Sequence, residues 1–231
     1  MNFELILDNY DLYLEGMLVT FKLVSWSLLY GFIIAVPLAI ILSSCKNPLL
    51  TLPVRGFVYF FRGTPLLIQM FLIYYGAGQF EGLKDSFLWD YFKDAYFCAL
   101  FAFSLNTGAY TSEIFRGAIV NTPIGEIEAA KAAGMSQALM LRRIILPSAF
   151  RRALNAYGNE MIFMLHGTAL ASVITIVDLT GVARIINSRY YSPFEAFITA
   201  GLCYMAITFT MVWILKKVEY RWTSHLRREE N

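Results

Sequence analysis

Charge is scarce in this chain: Asp, Glu, Lys and Arg make up 16% of its 231 residues, against about 25% in soluble domains. Histidine occurs only at His166 and His225, and cysteine only at Cys45, Cys98 and Cys203. Residues so few and so scattered exclude a disulfide framework and a metal cluster, and the cysteines read as small buried apolar residues. No Gly-Lys pair is present, so the chain has no G-x-x-x-x-G-K-[ST] loop with which to bind ATP. The opening MNFELILDNYDLYLEG lacks a basic stretch, and no cleavable signal peptide is expected. Internal repeats and low-complexity tracts are also missing.

Apolar residues fill the space that charge leaves: they are 58% of the chain and come in long blocks. A membrane-spanning helix needs about 20 mostly apolar residues. Five stretches qualify, at 18–43, 56–76, 95–115, 156–179 and 195–215. Lys22 lies near the start of the first, where its stem can snorkel toward water. The fourth is the least clean, because it holds Glu160 and His166; a four-span arrangement with that segment re-entrant stays open. Ala196 and Ala200 set small residues one turn apart for close helix packing. The expected fold is an all-α membrane protein of about five transmembrane helices, forming one domain over 1–231.

Orientation follows from where lysine and arginine fall. The segment between the third and fourth spans carries Arg116, Lys131, Arg142, Arg143, Arg151 and Arg152. The tail KKVEYRWTSHLRREE is basic too, a feature for retention in the cytoplasm and contact with lipid rather than with nucleic acid. The N-terminal stretch instead has Glu4, Asp8, Asp11 and Glu15 with no cation. Five spans with the N-terminus outside and the C-terminus inside put every cation-rich segment in the cytoplasm. Phe3, Leu5, Ile6, Tyr10, Tyr13 and Leu14 alternate with those acids. That pattern fits either an amphipathic helix on the outer surface or a loose acidic tail.

The segment of about 120–148 interrupts the apolar pattern with structure of its own. NTPIGEIEAAKAAG reads as a helix with Thr122 at the N-cap, Pro123 at the first helical position, Glu126 and Glu128 in the early turns, and Gly134 as a left-handed stop. Ser136 then caps a second helix running to about Leu146, with Pro147 following. A slim alanine-rich helix with acids at its edge suits a groove on another protein; a plain connector fits the residues equally well.

EAAKAAG, nine further residues and IILP reproduce the pattern E-A-A-x-x-x-G, nine residues, I-x-L-P at Glu128, Ala129, Ala130, Gly134, Ile144, Leu146 and Pro147. In this the chain resembles the membrane subunits of ABC importers, in which the segment forms coupling helices seated in a cleft of the ATPase. FRGTPLLIQMFLIYYG and LNTGAYTSEIFRGAI look like the polar amino-acid branch, and YGNEMIFMLHGTALAS resembles the histidine/lysine/arginine/ornithine permeases more than those for glutamate or glutamine. The resemblance implies a bacterial inner-membrane permease that is no enzyme itself. It implies as partners a second membrane subunit, identical or related, two ATPases that use ATP and magnesium, and an external amino-acid-binding protein. The segment 120–148 then transmits ATPase closure to the spans, and the outer loops around 77–94 and 180–194 receive the binding protein.

An ionisable residue inside a span marks a functional site by default. Glu160 can meet a guanidinium or ammonium group, or serve as a structural partner for Asn106 or an arginine. Asn106 can orient a substrate carboxylate or amino group, or bond helix to helix. His166 follows Glu160 by about a turn and a half and is expected to line the same cavity. Thr168, Tyr110 and Gln69 are weaker candidates, since hydroxyls and amides in spans often join helices. Gly167 stands where some arginine importers carry an acid, which points to a site shared with a paired subunit or to a vestigial one. Arg62 with Gly63, Thr64 and Pro65 reads as an entrance turn, and Glu113 with Arg116 as a helix-end ion pair. Two other classes compete: a proton-coupled secondary transporter using Glu160 as a relay, and a membrane enzyme built on Glu160 and His166. Neither gives a reason for the helical bracket at 120–148.

Overall fold

The structure, a computed structural model, describes residues 4–222, and no β-strand occurs among them. Helix is the form in which one segment satisfies its own backbone groups in hydrocarbon. A short α1 (Glu4–Asp8) leads into α2 (Tyr10–Ser44), which contains the predicted first span and extends it at both ends. Leu5 and Ile6 of α1 pack against Tyr13, Leu179, Val182 and Ile186, and the Tyr13 hydroxyl donates to the Ala196 carbonyl at 2.9 Å. Of the two expectations for the N-terminal stretch a helix forms, clasped by the end of the bundle. Phe3 lies outside the described residues, as do His225, Arg227 and Arg228 of the basic tail.

The predicted second span is two helices, α3 (Pro48–Gly63) and α4 (Leu66–Ala77), meeting at 106°. Pro65 explains the break: it has no N–H to continue the ladder, and it holds Thr64 extended at φ −115°, ψ 146°. Single turns α5 (Glu81–Lys84) and α6 (Trp89–Phe92) occupy the following loop. The Asp94 carboxylate then caps α7 (Ala95–Val120), which holds the third span. After α8 (Ile124–Ala132) and α9 (Gln137–Met140), a π-helical turn (Leu141–Ile145) runs into α10 (Leu146–Gly167). The predicted fourth span overruns α10 into a 3₁₀ turn (Thr168–Ile174) and through Thr175, at φ 75°, toward α11 (Leu179–Tyr190). The fifth lies in α12 (Pro193–Trp222).

Two described helices, α2 and α12, are each long and apolar enough to cross a bilayer, and the number reaches up to 4 if each of two bent pairs counts as one span. The 26-residue α7 is not among them, because it carries Ser104, Asn106, Thr107, Thr111 and Ser112 on its buried side. Its place explains its composition: α2, α3, α4 and α10 all pack on it. Leu23 and Leu28 of α2, Met70 of α4, Phe103 of α7 and Leu165 of α10 form one apolar core. Phe32, Phe115, Phe150 and Tyr157 form another toward the α8 end. Lipid tails are as apolar as leucine, so such helices gain from close fit rather than from escape from water.

Beside the 3₁₀ turn, the 45° bend into α11 is held by Asp178. Its fully buried carboxylate accepts from the Gly181 N–H at 2.9 Å and from the Tyr204 hydroxyl of α12 at 3.1 Å. Thr20 of α2 accepts from the Leu179 N–H at 3.1 Å. Asp178→Ala is expected to lower the unfolding free energy by about 2 kcal/mol through loss of a cap and of a buried acceptor. The thermal midpoint in detergent checks this, with Asp178→Asn losing less.

Candidate functional site

The elbow between α3 and α4 exposes carbonyl groups that a helix would otherwise have used, and Gln69 collects them. Its Nε2 donates to the Phe61 carbonyl at 2.8 Å, the Thr64 carbonyl at 3.0 Å and the Thr64 hydroxyl at 2.7 Å. With its nitrogen committed there, Gln69 turns Oε1 toward α7, where Asn106 Nδ2 donates to it at 2.9 Å and to the Phe61 carbonyl at 3.2 Å. Both hydrogens of the Asn106 amide are thus used, and only its oxygen, an acceptor, remains for a ligand. The amide therefore suits an amino or guanidinium group and not a carboxylate.

Asn106 lines a cleft of about 540 Å³ between α4, α7 and α10, together with Tyr110, Asn159, Glu160 and Phe163. Glu160 is 8% exposed, and its Oε1 accepts from the Thr107 hydroxyl at 2.9 Å. Among the described residues no lysine or arginine forms an ion pair with it. The cleft thus sets the Glu160 carboxylate and the Asn106 amide oxygen, with the Asn159 amide beside them, among apolar walls, and the carboxylate attracts a cation with N–H donors.

At one rim, the Arg62 guanidinium lies over the Tyr110 ring, 5.3 Å from its centre, and the Tyr110 hydroxyl donates to the Arg62 carbonyl at 3.3 Å. Glu113 takes a forked pair of bonds from Arg116 at 2.8–3.0 Å and lies 3.9 Å from Arg62. The helix-end pair expected of Glu113 and Arg116 is there, with Arg62 drawn toward it.

The structure brings Glu160, Asn106 and Tyr110 to one cleft and leaves His166 and Thr168 out of it. Six residues past Glu160, at about 100° per residue, His166 faces another side of α10; its Nε2 is 3.5 Å from the Thr208 hydroxyl of α12. Thr168 is fully buried and donates to the Leu165 carbonyl at 2.7 Å, a local helix bond. Sequence reasoning passed over Thr107, the direct partner of Glu160. It also passed over Asp178, an acid within 156–179 that the rule applied to Glu160 would have flagged.

The bracket at 120–148 forms with three differences from expectation, the first being that Pro123 is the N-cap of α8 and not its first helical residue. Thr122 does not cap α8: its hydroxyl donates to the Ile119 carbonyl at 2.7 Å and accepts from Arg152 at 2.9 Å. Nor does the second helix end at Leu146. The Leu146 N–H reaches back five residues to the Leu141 carbonyl, and the chain continues through Pro147 into α10. A widened turn eases the proline ring past the carbonyl four residues back. Gly134, at φ +73°, ends α8 as predicted. Its N–H donates to the Lys131 carbonyl and that of Met135 to Ala130, at 2.9 and 3.1 Å, a paired left-handed closure. Ser136 accepts from the Leu139 N–H, as a cap should. Ile124, Glu128 and Ala129 are exposed, Ala130 is buried, Ile144 and Leu146 are half-buried and Pro147 is exposed.

Arg152 fastens this bracket to the bundle. Beyond Thr122, its guanidinium donates to the Ala118 carbonyl at 3.0 Å and to the Ser148 hydroxyl, which donates to Glu126 at 3.2 Å. One side chain thereby joins α7, α8 and α10.

Residues 35–224 match the family described as binding-protein-dependent transport system inner membrane component. The chain belongs to that family. Among family members it is 47% identical over 228 residues to the nopaline transport system permease protein NocM of Agrobacterium fabrum, covering 98% of this chain and 94% of the relative. Identity is 42% over 207 residues with the octopine transport system permease protein OccM of Rhizobium meliloti, covering 90% and 84%. It is 44% over 212 residues with the histidine/lysine/arginine/ornithine transport system permease protein HisM of Salmonella typhimurium, covering 91% and 90%. The crystal structure of an amino acid ABC transporter with histidines superposes with a TM-score of 0.85 at 32% identity, over 96% of this chain and 99% of that one. An inward-facing form of the MetNI methionine ABC transporter, at 18% identity and a TM-score of 0.75 over 94% and 98%, shares the fold. As an inner membrane component of a transport system, the chain moves cargo rather than transforming it.

Arg152→Ala removes the fastening of the bracket. Backbone amides over 124–133 are expected to exchange about tenfold faster, with those of α4 unchanged, in hydrogen-exchange mass spectrometry.

Proposed function

We propose that this permease subunit carries amino acids with a cationic side chain, and that they pass through the cleft at Glu160. The observation that carries the reading is the polarity of the cleft: among the described residues Glu160 has no cationic partner bonded to it, and Asn106 has only an acceptor left. Tyr110 contributes a ring face, while His166 meets Thr208 of α12 and the fully buried Thr168 bonds within its own turn. One similar protein is named for histidine, lysine, arginine and ornithine, and two for nopaline and octopine. The opines give a second reading, a guanidinium-bearing arginine conjugate as cargo, which the same cleft polarity suits.

In this reading the whole of 1–231 is one transmembrane domain. The five spans are α2, α3 with α4, α7, α10 with its 3₁₀ turn, and α12, with the N-terminus outside and the C-terminus in the cytoplasm. A second membrane subunit, two ATPases and an external binding protein complete the complex; ATP and magnesium belong to the ATPases. Glu128, Ala129 and Gly134 form the exposed face that docks on the ATPase, Ala130 and Glu126 seat α8 behind that face, and Ile144, Leu146 and Pro147 pass its motion into α10. ATP-driven closure draws the two brackets together and opens the cleft outward; hydrolysis returns it inward and frees the cargo. An ion-coupled transporter would need no bracket at all.

Two measurements test the reading. Glu128→Arg is expected to abolish co-purification of the ATPase with this subunit; a transporter that kept its activity without that partner would overturn the importer assignment. In liposomes holding the complete complex and its binding protein, arginine and histidine should stimulate ATP hydrolysis and glutamate should not. Glu160→Gln should cut the arginine response about tenfold or more, as loss of a charge-assisted bond implies, with assembly intact. Equal responses in both proteins would remove Glu160 from the pathway.

A further inference from the structure

The hydrogen bond between Thr107 and Glu160 joins α7 to α10, and its geometry depends on a third helix. Thr107 is 1% exposed, and its methyl points into α2 at Gly31. A Cβ built on Gly31 would lie 2.2 Å from Thr107 Cγ2, far inside contact distance, with the Gly108 nitrogen at 3.2 Å and the Ser104 carbonyl oxygen at 3.3 Å. The missing side chain of Gly31 is therefore the space that the Thr107 methyl fills.

Threonine carries its methyl and hydroxyl on one carbon, so placing the first fixes the direction of the second. A threonine in a helix has two favourable rotamers, one of which turns the hydroxyl back onto a carbonyl in the preceding turn. With the methyl seated at Gly31, the Thr107 hydroxyl takes the other course and donates its single hydrogen to Glu160 Oε1, 2.9 Å away. Oε1 is thereby held, and Oε2 is left for a ligand in the cleft.

We infer that Gly31 and Thr107 act together as positioning residues for the Glu160 carboxylate, so that the fit of α2 against α7 sets the affinity of the cleft for a cationic side chain. This rests on the reading of Glu160 as the cargo's counter-charge. Neither residue touches the cargo. Their contribution is the orientation of a carboxylate that would otherwise choose among rotamers within a 540 Å³ cleft.

The test uses the complete transport complex in detergent, with no binding protein present, and reads direct binding of arginine by calorimetry beside the thermal midpoint. Thr107→Val keeps the shape and removes the donor, so arginine binding should weaken about tenfold while the midpoint and assembly hold. Thr107→Ser keeps the hydroxyl and should bind within about twofold of the parent, since one methyl is a small packing loss. Gly31→Ala should weaken binding as Thr107→Val does, and Gly31→Ala with Thr107→Ser, which removes the methyl that the new Cβ strikes, should recover it. Parental affinity in Thr107→Val overturns the inference even if Gly31→Ala fails to assemble, and so does an assembled double variant that shows no recovery. Glu160→Gln, run alongside, separates the two readings. Undiminished binding there would sink the Glu160 site itself, whereas lost binding there with parental binding in Thr107→Val would sink only the positioning role.

Discussion

The crossing of α2 over α7 leaves almost no room between backbones at Gly31 and Gly108, where added side-chain atoms would lie 2.2 and 3.2 Å from their nearest neighbours. In hydrocarbon, where helices gain little from merely being apolar, such closeness is what holds a bundle together. It also frees the rest of α7 to be polar. Because α2, α3, α4 and α10 enclose that helix, it can carry five hydroxyl and amide residues inward, of which Asn106 fastens the α3–α4 elbow on one side and Thr107 holds Glu160 on the other. Asp178 plays a similar part beside the 3₁₀ turn, where its carboxylate joins α11 to α12 and Thr20 of α2 takes the neighbouring Leu179 N–H.

The chemistry of the cleft is decided by which hydrogen-bonding groups are already spent. Gln69 gives its donors to the carbonyls opened by Pro65, and Asn106 gives its own to Gln69 and Phe61. What Asn106 and Glu160 still offer the cleft are acceptors. A backbone irregularity enforced by proline thus propagates, through two amides, into the polarity of a binding surface. That chain of cause replaces the expectation that Asn106 could serve a carboxylate or an amino group alike.

Much of this was legible in the residues. Apolar blocks located the long helices, Gly134 and Ser136 marked the turn within the bracket, and the isolation of Glu160 and Asn106 among apolar neighbours singled them out. Helix breaks were harder to read. Pro65 interrupts the second span although Pro37 and Pro53 are carried inside α2 and α3, so a proline in the linear pattern does not by itself locate a break. His166 was misplaced for a different reason: closeness in number to Glu160 suggests a shared cavity, but six residues of helix turn a side chain well away. Thr122 looked like a cap by residue type and serves instead as the landing point for Arg152, thirty positions on. Partnerships of that span depend on the fold.

The π-helical turn at Leu141–Ile145 has a consequence for the numbering of faces. One residue more than an α-helical turn requires rotates everything before it by about 100° relative to everything after it. The side chains of α9 therefore point in directions that a single helical wheel drawn through Gln137–Gly167 would misassign. The α9 segment and α10 are two azimuthal frames joined by a phase shift, and a one-residue deletion inside that turn would re-aim the bracket while leaving every side chain of the cleft where it stands.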